Sequence, residues 1–345
     1  MRTAILLGTG LCCLAILSAP AQAQQATLDD MEVALQQPPE ATLPPIVVEP
    51  TPQPEYQNYG YGSGSPYGPY PYGTIPWNSN EITSDRDLVG PYGQPQWTTQ
   101  RPFSTARSYV LPAGMMQFEQ WVRPTYNKGV KPEYRFLEEY AIGLPGRFQL
   151  DVYERWNVEA DPTTNNEKAN HEGVQIELRY ALADWGVIPL NPTLYAEWVE
   201  RGGPQDKPDK YEIKLLLSDE ILPNLYYASN IIMEQEVAGE LENELGWSNA
   251  FSTTVIERKL LAGVECLWQG QNLHGSRNDR TSQFTIGPSM QYRPTNRTYI
   301  NFVSLFGTSG DAPQCQMYLI VGYQWGGRAG PAGGYISGPA STIGN

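Results

Sequence analysis

The sequence predicts an all-β protein: an antiparallel transmembrane β-barrel of about twelve strands, preceded by a disordered Pro/Tyr/Gly-rich segment. Three observations predict it. Apolar and polar residues alternate with period two, in stretch after stretch, from Gly114 to Trp325. The connections between these stretches alternate between long polar segments and tight turns. The chain also carries 22 Tyr and 9 Trp against only 8 Phe. Rings with a polar tip favour the boundary between membrane and water.

The strands follow in order. The first half predicts them over 115–126, 133–144, 148–158, 173–182, 193–200 and 210–218. The second half adds 225–234, 240–248, 259–268, 283–293, 298–306 and 316–325. In the fourth, Val174, Ile176, Leu178, Tyr180 and Leu182 alternate with Gln175, Glu177, Arg179 and Ala181. In the last, Met317, Leu319, Val321, Tyr323 and Trp325 share one face. Side chains alternate across a strand, so each stretch has one apolar and one polar face.

The polar faces carry the candidate pore-lining residues. The acids are Glu119, Glu139, Asp151, Glu177, Glu197, Glu212, Glu242, Glu244 and Glu265, and the bases are Arg123, Arg135, Arg155, Arg179, Lys214 and Arg293. Acids exceed bases, which favours a mild cation preference. If Pro145–Arg147 make a three-residue turn, Leu144 lies opposite Phe148 and Glu138 opposite Glu154. Facing carboxylates in lipid are costly, so either they reach water at the membrane edge or a bulge turns them inward to join Glu139 and Arg155. The break in alternation at Glu138-Glu139 favours the bulge.

The connections orient the barrel. Asn127–Pro132, Glu159–Glu172, Arg201–Asp209, Gln269–Ser282 and Gly307–Cys315 are long and polar. Leu144–Arg147, Asp219–Asn224 and Pro294–Arg297 are tight, whereas Gln235–Gly239 is short and Asn249–Arg258 long for their places. In outer-membrane barrels the short turns face the periplasm. An even strand count puts both barrel ends on that side.

The remaining chain divides simply. Residues 1–23 read as a signal peptide, with Arg2, the apolar stretch Ala4–Leu17 and the cleavage pattern Ala21-Gln22-Ala23. Residues 24–106 read as a disordered periplasmic segment, with prolines from Pro38 to Pro76 interleaved with Gly and Tyr and too few aliphatic residues to offset the entropy of ordering. The barrel is expected over 107–326 and a Gly-rich tail over 327–345. The formal net charge of −14, without a basic stripe, argues against a nucleic-acid partner. No run of 18 apolar residues suggests a membrane helix.

One hairpin has a further bearing. Glu139-Tyr140-Ala141-Ile142-Gly143-Leu144-Pro145-Gly146-Arg147-Phe148-Gln149-Leu150 resembles the E-Y-x-x-G-L-x-x-R-x-x-L hairpin of an outer-membrane family named for the meta-pathway of phenol degradation. Leu260–Glu265 resembles another strand of that family. The resemblance implies a barrel and a role in small-molecule passage. The chain departs from the usual pattern of such barrels, because Trp325 is followed by further residues to Asn345.

No catalytic or metal-binding constellation is visible. The two histidines, His171 and His274, fall in predicted polar loops, and Asp161–Glu172 lacks the oxygen spacing of a calcium loop. Two cysteines, Cys266 and Cys315, remain after the signal. The expectation is a non-enzymatic, cofactor-free passive channel of the bacterial outer membrane, with membrane lipid and a small permeant as its partners. A periplasmic or cell-wall partner for the N-terminal segment is a further expectation. The alternatives are a structural barrel without transport, and a secreted soluble β-protein binding carbohydrate through its aromatic residues.

Overall fold

The computed structural model describes residues 74–160, 167–201, 208–239, 241–272 and 280–326. Two short strands come first, β1 (Leu88–Val89) and β2 (Gln94–Pro95), followed by a 3-10 turn over Gln96–Thr99. Twelve long strands follow. They are β3 (Met116–Tyr126), β4 (Glu133–Leu144), β5 (Phe148–Ala160), β6 (Glu167–Ala181), β7 (Thr193–Glu200) and β8 (Lys210–Leu222), then β9 (Leu225–Glu236), β10 (Asn243–Ile256), β11 (Leu260–Asn272), β12 (Arg280–Tyr292), β13 (Thr298–Gly307) and β14 (Cys315–Trp325).

Each long strand pairs antiparallel with the next, and β14 returns to β3 through Trp325↔Met116 and Ile320↔Trp121, closing the barrel. The expected class and strand count therefore stand. Closure satisfies the edge groups that an open sheet would leave in lipid. The outward face carries the apolar set read from the alternation: Ile176, Leu178, Ile213, Val264, Phe302 and Leu319 are all exposed. Ala141, Tyr153, Tyr195 and Leu216 point inward and are buried. An exterior this apolar around a polar interior is the arrangement of a membrane-spanning barrel.

The connections sharpen the expected asymmetry. Because β10 runs on to Ile256, the long connection expected over Asn249–Arg258 shrinks to three residues, 257–259. The turn Pro145–Arg147 holds Gly146 at φ 76° and Arg147 at φ 66°, with Leu144 opposite Phe148. One short-turn-side connection is long: residues 182–192 fold as a run of turns ending on Leu190 and Asn191 at positive φ.

Two expectations need correction. The stretch to residue 106 is not disordered throughout, because from Thr74 onward much of the chain packs against the inner wall of the barrel, with Asn80, Glu81, Thr83 and Arg86 left exposed. Trp97 and Phe103 bury completely against Tyr226, Ala228, Ala250 and Leu261, and the Trp97 ring stacks on Tyr226 with centroids 4.7 Å apart. Trp77, Val89, Leu111 and Met115 form a second cluster with Ala141. Barrel-wall residues supply the apolar surface that this segment cannot supply to itself. At Gly143 the segment crosses so closely that a Cβ there would lie 2.2 Å from the Pro112 carbonyl oxygen. Gly143 N–H donates to the Met115 carbonyl at 2.9 Å, and Gly114 N–H donates to the Gly143 carbonyl at 2.9 Å.

The second correction concerns Glu138. The β4–β5 register runs unbroken from Tyr134↔Val158 to Leu144↔Phe148, so no bulge turns Glu138 inward. Glu139 is fully buried in the lumen and Tyr140 is exposed, which leaves Glu138 on the outer face opposite Glu154. The bulge lies one pairing later, at Arg155/Trp156 of β5 against His171–Gly173 of β6, with Gly173 at φ 111°. It carries Glu172 inward to Arg155 at 3.6 Å, while His171 reaches Glu154 at 3.4 Å. His171 is thus a strand residue; His274 lies outside the described residues.

Candidate functional site

The site is the lumen, which has two storeys. The short-turn half is occupied by the inserted segment, and the long-loop half holds an open chamber of about 480 Å³ whose floor includes Arg101, Thr105 and Arg107.

The floor is held by buried charge. Arg101 Nε lies 2.8 Å from the Glu119 carboxylate and its Nη2 2.9 Å from Glu139. Arg107 Nη2 also meets Glu139 at 2.9 Å and donates to the Tyr153 hydroxyl oxygen at 2.5 Å. Glu119 further accepts from Trp121 Nε1 at 3.0 Å and from the Tyr299 hydroxyl. Tyr299 gets there by lying flat over Gly322, where a Cβ would fall 2.1 Å from its ring. Two carboxylates facing each other on β3 and β4 would repel; two guanidinium groups from the segment neutralise them.

Backbone grips complete the anchorage. Glu265 accepts from the Ser104 N–H at 3.0 Å, the Thr105 N–H at 2.7 Å and the Thr105 hydroxyl at 2.6 Å. Asn230 clasps Arg107, accepting from its N–H at 2.7 Å and donating to its carbonyl at 2.9 Å. Gln291 Nε2 donates to the Gln100 and Arg101 carbonyls at 2.6 and 2.7 Å. Asp85 is bound by Arg293, and both are buried. The Tyr92 and Tyr109 hydroxyls donate to the Leu144 and Ala183 carbonyls at 2.6 Å each. Burial pushes both phenols up from their ordinary value.

The predicted lumen residues therefore divide between two environments. Glu119, Glu139, Glu265 and Arg293 hold the inserted segment directly. Asp151 and Glu177 form a buried network with Arg179, whose Nη2 reaches Asp151 at 2.8 Å. Arg179 Nη1 also donates to the Tyr109 carbonyl at 3.4 Å. Arg123, Arg135, Arg155, Glu197, Glu212, Lys214 and Glu244 line the chamber. Glu242 sits in the connection before β10, its N–H donating to Glu236 at 3.3 Å. Glu138 belongs to the outer face, as described.

The residues missed from sequence include those of the segment itself, Asp85, Arg101, Ser104, Thr105 and Arg107, and on the wall Glu172, Lys210 and Glu234. A signal existed. The lumen shows more acids than bases, and the nearest unassigned bases upstream of the first strand are Arg101 and Arg107.

No protein-family model matches this sequence, and no curated protein does. Among solved structures, an outer-membrane channel from Pseudomonas putida F1 shares 9% identity, covering 63% of this chain and 98% of its own, with a TM-score of 0.48. The NanC porin shares 13% identity over 59% of this chain and 98% of its own, at a TM-score of 0.41. The KdgM porin with disordered oligogalacturonate shares 10% over 62% and 99%, at 0.38. The likeness is one of barrel architecture.

Proposed function

We propose that this protein is a passive channel of the bacterial outer membrane for small polar solutes, in which the inserted segment Thr74–Met115 controls passage. The observation that carries this reading is the chamber: a charged, open space in the long-loop half of a lipid-facing barrel, floored by residues of a separate chain segment. A barrel serving only as a structural wall has no use for such a chamber, and a soluble carbohydrate binder has no use for the apolar exterior. Arg123, Arg135, Arg155, Glu197, Lys214 and Glu244 are the wall that a solute would meet first.

Export by the signal peptide 1–23 and placement in outer-membrane lipid belong to the same proposal. The resemblance of the Glu139–Leu150 hairpin to the phenol meta-pathway family supports a role in small-molecule passage and leaves the permeant unnamed. A cell-wall or periplasmic partner for the N-terminal extension fits the position of both barrel ends on the short-turn side. On the floor, Arg101 and Arg107 pair with Glu119 and Glu139 and offset the excess of acids over bases that favoured cation preference, so weak charge selectivity is expected.

The test is conductance of the refolded full chain in planar bilayers, before and after loosening the segment by Arg101→Ala/Arg107→Ala. Discrete channels that enlarge in the double variant support the proposal. A barrel that inserts and conducts in neither form refutes it.

A further inference from the structure

The charges lining the chamber are sorted by wall. On β3, β4 and β5 stand Arg123, Arg135 and Arg155, with Arg123 directly opposite Arg135 across the strand pair. Like charges placed opposite each other are unfavourable unless something lies between or beside them. Arg135 has Glu133 at 2.7 Å and Arg155 has Glu172 at 3.6 Å. Arg123 has no carboxylate partner among the described residues. Its guanidinium carbon stands 5.8 Å from the centroid of the Tyr318 ring, and its Nε is buried without a hydrogen-bond partner. Arg101 and Arg107, deeper in the same lumen, are each bound to carboxylates. The difference marks Arg123 as a guanidinium with capacity to spare, held at the edge of an open space.

The opposite wall is acidic. Glu197, Glu212, Glu234 and Glu244 form one row across β7, β8, β9 and β10, each opposite the next in register. Two lysines attend this row: Lys214 meets Glu212 at 2.5 Å, and Lys210 binds Glu234. Among the described residues the outer two acids take hydrogen bonds from neutral donors, the Tyr195 hydroxyl for Glu197 and Gln269 Nε2, at 2.6 Å, for Glu244. All four acids and the three arginines line one cavity of about 480 Å³, the size of a small-molecule site.

We propose that this chamber binds small zwitterions of the amino-acid or short-peptide class, with the carboxylate on Arg123 beside Arg135 and the ammonium toward the Glu197–Glu244 row. The inference rests on the reading of the barrel as a passage for small polar solutes and names the class it takes. A ligand with both charges uses both walls at once. A simple anion or cation uses one and meets repulsion from the other. Arg suits the carboxylate end because its planar fork matches a carboxylate with two parallel hydrogen bonds.

Titration calorimetry on the refolded full chain in detergent micelles, at low salt, tests this with three probes: glycylglycine, acetate and methylammonium. Glycylglycine is expected to bind about tenfold or more tightly than either singly charged probe, and Arg123→Gln to weaken it by about tenfold. Glu138→Gln, on the outer face, is expected to change nothing. Should Arg123→Gln refold poorly, Glu244→Gln reads the ammonium end of the same site, with the same loss expected. Acetate binding as tightly as glycylglycine would reduce the site to an anion site and overturn the proposal, as would no measurable binding of the zwitterion. Binding without conductance would refute the channel and keep the site; conductance without binding would do the reverse.

Discussion

Glu139→Gln tests how firmly the inserted segment is held. Glu139 is fully buried and takes hydrogen bonds from two guanidinium groups, Arg101 Nη2 at 2.9 and 3.2 Å and Arg107 Nη2 at 2.9 and 3.0 Å. Replacing the carboxylate by an isosteric amide leaves two buried cations to share Glu119, whose distances are 2.8 Å to Arg101 and 3.9 Å to Arg107. Breaking a buried pair by neutralising one partner costs about 3–5 kcal/mol. The remaining amide oxygen still accepts a hydrogen bond, which places this variant near ~3 kcal/mol, the low end. At 1.4 kcal/mol per decade, the released population of the segment rises by roughly a hundredfold. Trypsin reads it directly at Arg107, which is followed by Ser108 and is sheltered when the segment is docked and cleavable when it is out; the Arg101-Pro102 bond resists trypsin in either state. Peptide mapping of the refolded protein should show cleavage after Arg107 rising steeply in Glu139→Gln and staying at the wild-type level in Glu138→Gln. Equal protection in wild type and Glu139→Gln would mean that these pairs do not hold the segment.

Further outcomes follow from the same geometry. Leu178 lies on the lipid face and is 45% exposed, so Leu178→Arg should cost ~2–4 kcal/mol near the midplane and lower the refolded fraction on a heat-modifiability gel; a wild-type yield would reverse the face assignment. Gly143→Ala puts a Cβ 2.2 Å from the Pro112 oxygen, so hydrogen exchange across Leu111–Met116 should quicken, and unchanged protection would count against the close crossing. Deletion of residues 24–73 should leave folding and trypsin protection of Arg107 intact, because Arg107 is held by Glu139 and Asn230 on the barrel wall; loss of either would give that stretch a structural part.

Strand number and the two faces were legible because a barrel in lipid alternates apolar and polar residues along its strands, as Val174–Tyr180 and Met317–Trp325 do. The Leu144–Phe148 register was legible because Pro145-Gly146-Arg147 fixes the loop length. The bulge at Arg155 was not. It falls in Glu159–Glu172 and its edge, a polar stretch that resembles a loop, and it depends on Gly173 adopting positive φ. The inserted segment was hidden for a different reason. It has no lasting periodicity of its own, because apart from the two-residue strands β1 and β2 it folds against the barrel wall. Its anchors are single residues such as Trp97, Arg101 and Arg107, whose partners lie on strands distant in sequence. Apart from Glu138, which lies on the outer face, and Glu242, which lies before β10, the candidate lumen residues face inward, but their division between floor and chamber depends on that segment and so could not be read before it.

The measurement that bears most directly on the account is the single-channel conductance of the full chain against a variant lacking residues 74–111, refolded alongside it and matched by heat-modifiable mobility. If the segment fills the short-turn half of the lumen, the deleted form conducts several-fold more than the full chain, with a steadier open level. Equal conductance in the two forms would show that the segment does not stand in the path of solutes, and would contradict the account at its centre.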